Sequence, residues 1–258
     1  MSLVKVKVKV KVEMKIFEPI GRYALLMRKT FRRPERRGMF WRQVLNEVDN
    51  LGLSSLFIVV VSSLFMGAVM TMQTDNNTSS PFLPAYCLGL VTRDTLLLEF
   101  CSTVLSLFLA GQIGSHIASE IGTMRITEQI DAMDIMGVNS ANYIIAPKIT
   151  AVVLYMPVLV FISMFTGMIG GWGYCSITGQ IPVSKYIYGI RYAFIEWYVW
   201  YAVIKSLVFA FLITSVSAYH GYYVKGGALE VGKAGTKAVV TSSILILVFD
   251  IFLTRILL

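Results

Sequence analysis

The feature that most constrains this chain is a set of long apolar stretches that carry no charge. Leu51–Thr74 and Phe100–Ser119 contain no Asp, Glu, Lys or Arg, and the same is true from Ile149 to Ser184. The hydrocarbon core of a bilayer is about 30 Å thick, and an α-helix needs about 20 apolar residues to cross it. Each of the first two stretches therefore predicts one transmembrane helix. The third is long enough for one helix and an outer loop.

Two further stretches are nearly as apolar. Trp197–Tyr222 is interrupted only by Lys205, and Ala238–Leu258 only by Asp250 and Arg255. Hydrophobic residues make up 56% of the 258 residues and charged residues 15%, a composition that does not fit an ordinary soluble domain. The sequence thus predicts an all-α membrane protein with five transmembrane helices.

The positive charges predict the orientation of these helices. Of the 23 Lys and Arg residues, 13 precede the first predicted span and five lie in the second and fourth connections, whereas four lie on the opposite face. Basic residues are retained preferentially on the cytoplasmic side of short loops. We therefore expect the N-terminus in the cytoplasm and the C-terminus in the periplasm. The net charge of +8 then reflects topology and anionic lipid, so no nucleic-acid partner is expected.

The region before the first span divides into two parts. Residues 1–13 include the repeat VKVKVKVKVE, whose period of two is typical of a strand that has no partner here, so we interpret them as an extension of doubtful origin. Residues 14–50 mix aromatic and aliphatic side chains with many Arg, which predicts an interfacial amphipathic region of one or two helices, broken near Pro34. A disordered basic tail is the alternative. Such a long basic region before the first apolar run is not typical of a cleavable signal peptide.

Three ionisable residues lie in or beside the predicted spans, namely Glu99, Lys205 and Asp250. An unpaired charge at the bilayer centre costs at least about 2.5–3.5 kcal/mol, so such a group usually has a partner or faces water. We hypothesise that Glu99 and Lys205 line an outward-facing pocket for a zwitterionic or anionic headgroup, with Asp250 balancing Lys205. A structural ion pair that holds helices together is the alternative.

Small residues and cysteines are less informative. Gly167, Gly170, Gly171 and Gly173 stand close together in the third span, which indicates either close backbone contact with a neighbouring helix or fraying near the outer surface. The three cysteines lack metal-ligand spacing and are interpreted as small apolar residues.

A charged segment, GTMRITEQIDAMDIMG, separates the second and third predicted spans at Gly122–Gly137. Its apolar residues recur at helical spacing on one face: Ile126, Ile130, Met133 and Met136. This pattern predicts a short amphipathic helix that Thr127 caps, with Glu128 at its positive end and Gly137 as its stop. On the cytoplasmic side, its carboxylates suit a protein partner better than an anionic membrane. A solvated connecting helix is the alternative.

The same segment resembles the signature of the MlaE (YrbE-type) permease family, the membrane subunits of ABC lipid transporters. The resemblance is carried by ASEIGTMRITEQIDAMDIMGVN and, in the same order as in the family, by GAVMTMQ, LAGQIGS, IKSLVFA, GYYVKGGALEVGKAGTKAVV and DIFLT. It implies that residues 51–258 form a permease domain with five transmembrane helices. The family usually has Arg where this chain has Gln112, and often has Arg-Glu-Leu-Gly-Pro where Leu98–Ser102 stands.

The resemblance also implies partners and roles. A homodimer in the bacterial inner membrane would move phospholipid between that membrane and the outer envelope, and so maintain outer-membrane lipid asymmetry. A cytoplasmic ABC ATPase would bind ATP and Mg, and a periplasmic MCE-domain protein would cap the outer side, so no cofactor is expected in this chain. The ATPase-coupling residues would be Arg125, Glu128, Gln129, Asp131 and Met133. The lipid pathway would include Gly67, Gln73, Glu99, Lys205 and Asp250.

Other chemistry is weakly indicated. His116 and Glu120 have the spacing of two metal ligands but lack a third, and GALEVGKA approaches a phosphate-binding loop but has Ala234 where a hydroxyl is needed, so we expect neither metal nor nucleotide here. No catalytic residues are predicted. Two alternative functions remain: an intramembrane lipid-modifying enzyme, and an ion-coupled channel or secondary transporter that uses Lys205 and Asp250.

Overall fold

A computed structural model describes residues 18–32, 37–78, 84, 86–179 and 181–258. Within these ranges every regular element is helical, and five helices are long and apolar enough to cross a membrane. The all-α prediction with five spans is therefore confirmed. The predicted extension at residues 1–13 and the predicted break at Pro34 lie outside the described residues.

The helices are named here in chain order. Helix α1 covers residues 18–30. The others are α2 (Arg37–Glu47), α3 (Leu53–Thr78), α4 (Cys87–Thr95), α5 (Leu105–Leu109), α6 (Ser115–Ile126), α7 (Gln129–Ile135), α8 (Ser140–Thr178), α9 (Val183–Arg191), α10 (Trp197–Tyr222) and α11 (Ala228–Leu257). Short π-helical segments join α2 to α3 (Val48–Gly52), α4 to α5 (Leu96–Val104) and α5 to α6 (Ala110–Gly114).

Because these joints are helical, each span is one continuous stretch. The first runs over Arg37–Asn77 and the second over Cys87–Ile126, while α8, α10 and α11 are the third, fourth and fifth. The fourth span begins and ends where its apolar stretch does. The first and second spans extend beyond their apolar stretches at both ends, and the third and fifth begin before theirs, because hydropathy marks only the apolar part of a helix whose ends carry polar and charged residues.

The first and third spans cross in direct backbone contact. A Cβ atom added to Gly67 would lie 1.9 Å from the carbonyl oxygen of Gly167, and one added to Gly170 would lie 2.0 Å from that of Leu64. Small residues permit such an approach in lipid, where apolar burial gives helices little reason to associate. For Gly167 and Gly170 the close-contact interpretation is therefore confirmed. Gly173 has nothing within 4 Å of its added Cβ, so that interpretation is wrong for it.

The fourth span is the most enclosed of the five, and the fifth is the least. Side chains from the second and fourth spans, including Ile113, Ile117, Phe209 and Ile213, are fully or almost fully buried in the main apolar core. In contrast, large apolar side chains of α11 are exposed along its length. They include Val240, Ile244, Leu247, Ile251, Phe252 and Ile256. In a membrane such a face contacts lipid or another subunit.

Helix α9 is fixed to the end of the second span that carries α4. The guanidinium of Arg93 donates to the carbonyl oxygens of Ile190 and Tyr192 at 2.8 and 2.7 Å, although its side chain is only 2% exposed. Carbonyls at a helix C-terminus lack partners within the helix, so Arg93 caps α9 from outside. Burial raises the pKa of Tyr186 in α9 to about 12, and its protonated hydroxyl donates to the carbonyl of Met168 at 3.2 Å.

Candidate functional site

A buried ion cluster joins the second, fourth and fifth spans. The Nζ atom of Lys205 lies 2.6 Å from Oδ1 of Asp250 and 3.5 Å from Oε1 of Glu99. The side chain of Lys205 is 0% exposed, that of Asp250 16% and that of Glu99 47%. The ammonium therefore has its close partner in Asp250, while the half-exposed Glu99 makes longer contacts, with Lys205 through Oε1 and with Thr103 through Oε2 at 3.3 Å.

Each of the three spans supplies two residues to this cluster, four positions apart. The pairs are Glu99 and Thr103, Tyr201 and Lys205, and Asp250 and Thr254. The hydroxyl of Thr103 donates to Oδ1 of Asp250 at 2.8 Å, and the hydroxyls of Tyr201 and Thr254 lie 2.9 Å apart. The ammonium of Lys205 also lies 4.5 Å from the ring centroid of Tyr201, within the range of a cation–π contact.

Sequence reasoning from charge missed Thr103, Tyr201 and Thr254. Residues four positions apart share a helix face, so polar or aromatic side chains spaced in this way from each ionisable residue were the available signal. That signal identifies one partner on each helix, but it does not reveal that the three helices meet.

The cluster opens onto a cleft of about 450 Å³, a volume within the range of small-molecule sites. The lining residues are Glu99, Asp250, Ile251, Thr254, Arg255 and Leu258. Arg255 is exposed and supplies a cation, while Ile251 and Leu258 supply an apolar wall. The cleft thus presents two carboxylates, of which that of Asp250 is paired with Lys205, and one guanidinium beside an apolar surface.

Two predicted pathway residues lie in the first span, away from the lining of this cleft. Gly67 is in backbone contact with Gly167, which is sufficient physical reason for a glycine at this position. Gln73 is exposed near the end of α3. A lipid-pathway role for either residue stays a prediction.

The charged segment lies at the other end of the spans. Glu99 and Arg125 are 26 positions apart on the second span, which corresponds to about 39 Å at 1.5 Å per residue. The predicted short helix corresponds to α7, and a break separates it from α6. Helix α6 ends at Ile126, and α7 begins at Gln129 after Glu128 adopts a left-handed conformation with a φ of 61°.

The break changes the roles predicted for individual residues. The prediction that Thr127 caps the start of a helix is wrong, because its hydroxyl donates back to the carbonyl of Thr123 at 2.9 Å and so belongs to the end of α6. The prediction for Gly137 is confirmed. Gly137 has a φ of 78°, and the amide of Val138 donates to the carbonyl of Met133 at 3.0 Å, which is the geometry of a Schellman C-cap.

Helix α7 is held against the bundle by an ion pair and by apolar side chains. An Nη1 atom of Arg125 lies 2.6 Å from Oδ1 of Asp131, which connects the end of α6 to α7. Ile130 is fully buried and Met133 packs against the main core. Of the predicted coupling residues, Arg125, Asp131 and Met133 are thus partly occupied with contacts inside the chain.

The outer face of α7 combines acidic and apolar groups. Glu128, Gln129 and Asp134 are exposed. Ile135 is 86% exposed and Met136 71%, so the prediction that Met136 packs on the same face as Ile130 is wrong. The reason is the break at Glu128 together with the C-cap at Gly137, which leave fewer than two helical turns in α7. Ile135 was not singled out from the sequence.

The two motifs that resemble a metal site and a phosphate-binding loop form contacts between or within helices. His116 and Glu120 lie 3.7 Å apart, and Glu120 also pairs with Lys148; no group of three His, Cys, Asp or Glu that could hold a metal is present among the described residues. The segment GALEVGKA forms the N-cap and first two turns of α11, where Lys233 pairs with Glu230 at 2.7 Å. It therefore lacks the strand-to-helix loop on which a phosphate site depends.

Comparison with known proteins gives the family. The sequence model of the family described as Permease MlaE matches residues 44–256. The chain is 31% identical over 249 residues to a probable ABC transporter permease protein of Rickettsia bellii, which covers 94% of this chain and 93% of that protein. It is 29% identical over 215 residues to the intermembrane phospholipid transport system permease protein MlaE of Haemophilus influenzae, covering 83% and 82%.

A chloroplast protein of Arabidopsis thaliana, TRIGALACTOSYLDIACYLGLYCEROL 1, is 29% identical over 214 residues, covering 83% of this chain and 61% of that protein. The family match extends over most of the chain and includes both the ion cluster and α7. Members of this family are permeases, which are transport components and not enzymes. The chain belongs to the MlaE permease family.

Proposed function

We propose that this multi-pass membrane protein is the permease subunit of an ATP-driven phospholipid transporter in the bacterial inner membrane. The observation that carries the proposal is the ion cluster of Lys205, Asp250 and Glu99 on an open cleft at one end of the spans, with α7 at the other end. In this proposal the lipid binds at the cleft and the ATPase contacts α7, so the two sites lie at opposite ends of the spans. The name of the Haemophilus relative supports phospholipid as the cargo.

The cleft suits a phospholipid headgroup. Asp250 neutralises the buried ammonium of Lys205 at 2.6 Å, so the groups left to meet a ligand are the half-exposed carboxylate of Glu99 and the exposed guanidinium of Arg255. A zwitterionic headgroup carries an ammonium and a phosphate, which are complementary to this pair. The apolar side chains of Ile251 and Leu258 provide a surface for the first part of the acyl chains.

Helix α7 suits a contact with a cytoplasmic ATPase. It projects from the bundle between the second and third spans, and its exposed face combines the carboxylates of Glu128 and Asp134 with the apolar side chains of Ile135 and Met136. An apolar centre beside charged groups is the usual composition of a protein interface. ATP and Mg would be bound by the ATPase, and no nucleotide site is needed in this chain.

Two further partners belong to the proposal. A second copy of the chain would cover the exposed apolar face of α11, where Ile251 and Phe252 stand beside the cleft, and would thereby enclose the lipid. A periplasmic MCE-domain protein would receive or deliver lipid at the cleft end. In this arrangement the N-terminus is cytoplasmic and the C-terminus periplasmic, and transport between inner membrane and outer envelope maintains outer-membrane lipid asymmetry.

The experiment is purification of the wild-type chain and of Ile135→Asp from native membranes, followed by an ATPase assay and mass spectrometry of bound lipids. We expect ATPase activity and bound phospholipid with the wild type, and bound phospholipid alone with Ile135→Asp. Absence of ATPase activity from the wild-type preparation would count against the proposal.

The ion-coupled alternative makes the opposite prediction. If Lys205 and Asp250 coupled transport to an ion gradient, the chain alone in vesicles would move lipid when the gradient is imposed and no ATP is present. Under the proposed function, lipid movement requires ATP and the ATPase and does not respond to the gradient.

A further inference from the structure

At the end of the spans that carries α7, Lys148 joins three helices. Its ammonium lies 2.6 Å from Oε1 of Glu47 and 2.7 Å from Oε2 of Glu120. Glu47 is the last residue of α2, Glu120 lies in α6, and Lys148 lies in the third turn of α8. The side chain of Lys148 is only 3% exposed, so both contacts are shielded from water on the lysine side.

The positions of these residues bracket α7. Helix α6 precedes α7 and helix α8 follows it, so the contact between Lys148 and Glu120 closes the helical hairpin of which α7 is the tip. The contact between Lys148 and Glu47 attaches that hairpin to α2. Because α2 continues through Val48–Gly52 into α3, the attachment reaches the first span.

A second set of contacts attaches the same hairpin to α1. The Nδ2 atom of Asn142 donates to the carbonyls of Thr30 at 2.6 Å and of Arg32 at 2.5 Å, and Nδ2 of Asn139 donates to the carbonyl of Lys29 at 2.9 Å. Carbonyls at the C-terminal end of a helix lack partners within it. The start of α8 therefore caps α1, and both amphipathic helices are held by the element that follows α7.

An ion triad of this kind fixes geometry more than it adds stability. The desolvation of a buried charge offsets much of its attraction to a partner, and well-packed apolar residues are often as stabilising. Loss of a single partner is costly, however, because the buried charge is then left uncompensated. A displacement of the hairpin must consequently either carry α2 with it or separate Lys148 from Glu47, which leaves the buried ammonium with the carboxylate of Glu120 in place of two carboxylates.

We propose that Lys148, with Glu47 and Glu120, transmits displacement of α7 to α2 and the first span, so that the N-terminal amphipathic helices move in the transport cycle. This inference rests on the proposed function, in which α7 contacts the ATPase. Glu47 and Lys148 are positioning residues. They belong neither to the exposed face of α7 nor to the lining of the cleft.

The experiment compares Glu47→Ala and Glu47→Gln with the wild type in the complex with its ATPase. The complex is reconstituted in vesicles of phosphatidylethanolamine and phosphatidylglycerol, and the phospholipid transferred per ATP hydrolysed is measured. We expect Glu47→Ala to lower this ratio at least ten-fold while ATP hydrolysis stays within two-fold of the wild type. Glu47→Gln should lie between them, because its amide oxygen still accepts a hydrogen bond from Lys148.

The matched control is Glu230→Ala, which removes a carboxylate from the exposed pair that Glu230 forms with Lys233 within α11. This pair links no second helix, so the control should keep the wild-type ratio. An unchanged ratio in Glu47→Ala would overturn the inference. Loss of the bound ATPase or of thermal stability in both Glu47→Ala and Glu47→Gln would also overturn it, because Glu47 would then have a structural role only. If the wild type itself transfers no lipid with ATP, it is the proposed function that fails.

Discussion

The ammonium of Lys205 lies 2.6 Å from a carboxylate oxygen of Asp250, so one ion pair joins the fourth span to the fifth. One turn away on each helix, the hydroxyls of Tyr201 and Thr254 make a second polar contact at 2.9 Å. The two contacts fix the register of these antiparallel helices beside the cleft. These contacts allow a structural role for Lys205 to be tested separately from a role in lipid binding.

Replacement of Lys205 should destabilise the fold. Lys205→Met leaves Asp250 without its close cation, and loss of one partner of a buried pair costs about 3–5 kcal/mol. The double variant Lys205→Met/Asp250→Leu should lose less than the single one, because no uncompensated charge remains. The free energy of unfolding in detergent is measured for the single and the double variant. A double variant less stable than Lys205→Met would contradict the pairing.

Replacement of Glu99 should alter lipid binding and leave stability almost unchanged. Glu99 is half exposed and lies 3.5 Å from Lys205, so it contributes little to holding the helices. Glu99→Gln keeps the shape of the side chain and removes the charge that would meet a headgroup ammonium. We expect about a ten-fold loss of phosphatidylethanolamine bound per protein, quantified by lipid mass spectrometry, with an unchanged melting temperature. Equal binding by both proteins would exclude Glu99 from the site.

Addition of one methyl group at Gly67 should destabilise the contact between the first and third spans. The added Cβ would lie 1.9 Å from the carbonyl oxygen of Gly167, so the helices must separate, and strain of this kind costs about 1–3 kcal/mol. Gly173→Ala is the matched control because its Cβ would meet nothing within 4 Å. Gly67→Ala should therefore melt at a lower temperature than Gly173→Ala. Similar melting temperatures would show that the two spans do not pack in this way.

Charge placed on the exposed face of α7 should release the ATPase. Ile135 is 86% exposed, so Ile135→Asp has no packing to lose within the chain. Ile177→Asp is the control, since Ile177 is 88% exposed at the opposite end of α8. Co-purification of the ATPase should be abolished by the first variant and retained by the second. Release by both or by neither would argue against α7 as the docking element.

Glycine at position 128 should make the protein more stable than alanine at the same position, because the backbone there is left-handed. A non-glycine residue at a φ of 61° costs about 1–2 kcal/mol, which glycine does not incur. Glu128→Gly should therefore raise the free energy of unfolding by about 1 kcal/mol relative to Glu128→Ala, which removes the same carboxylate and keeps the strain. No difference between the two variants would mean that Glu128 is not in this conformation.

The sequence predicted those features that depend on spacing along one helix. The fourth span matches its apolar stretch, and Gly137 ends α7 as its residue type indicates. A helix start was predicted at Thr127, one residue from the observed N-cap, but the left-handed conformation of Glu128 was not predictable, because glutamate has no preference for it. The pair of Arg125 with Asp131 spans this residue and joins the two helices.

Contacts between helices were predicted only in part. Hydropathy identified Lys205 and Asp250 as unusual, and their pairing followed from charge. The triad of Lys148, Glu47 and Glu120 was not anticipated, because its members are 28 to 101 residues apart and lie on three different helices. Their significance depends on burial, which the sequence does not give.

The most direct measurement is phospholipid transfer between vesicles by the complex of this chain with its ATPase, with and without ATP. Wild type should transfer lipid only when ATP is hydrolysed, and Ile135→Asp should transfer none although the ATPase itself remains active. Lipid transfer by the chain alone, or hydrolysis of ATP by the chain alone, would contradict a permease that is driven through α7.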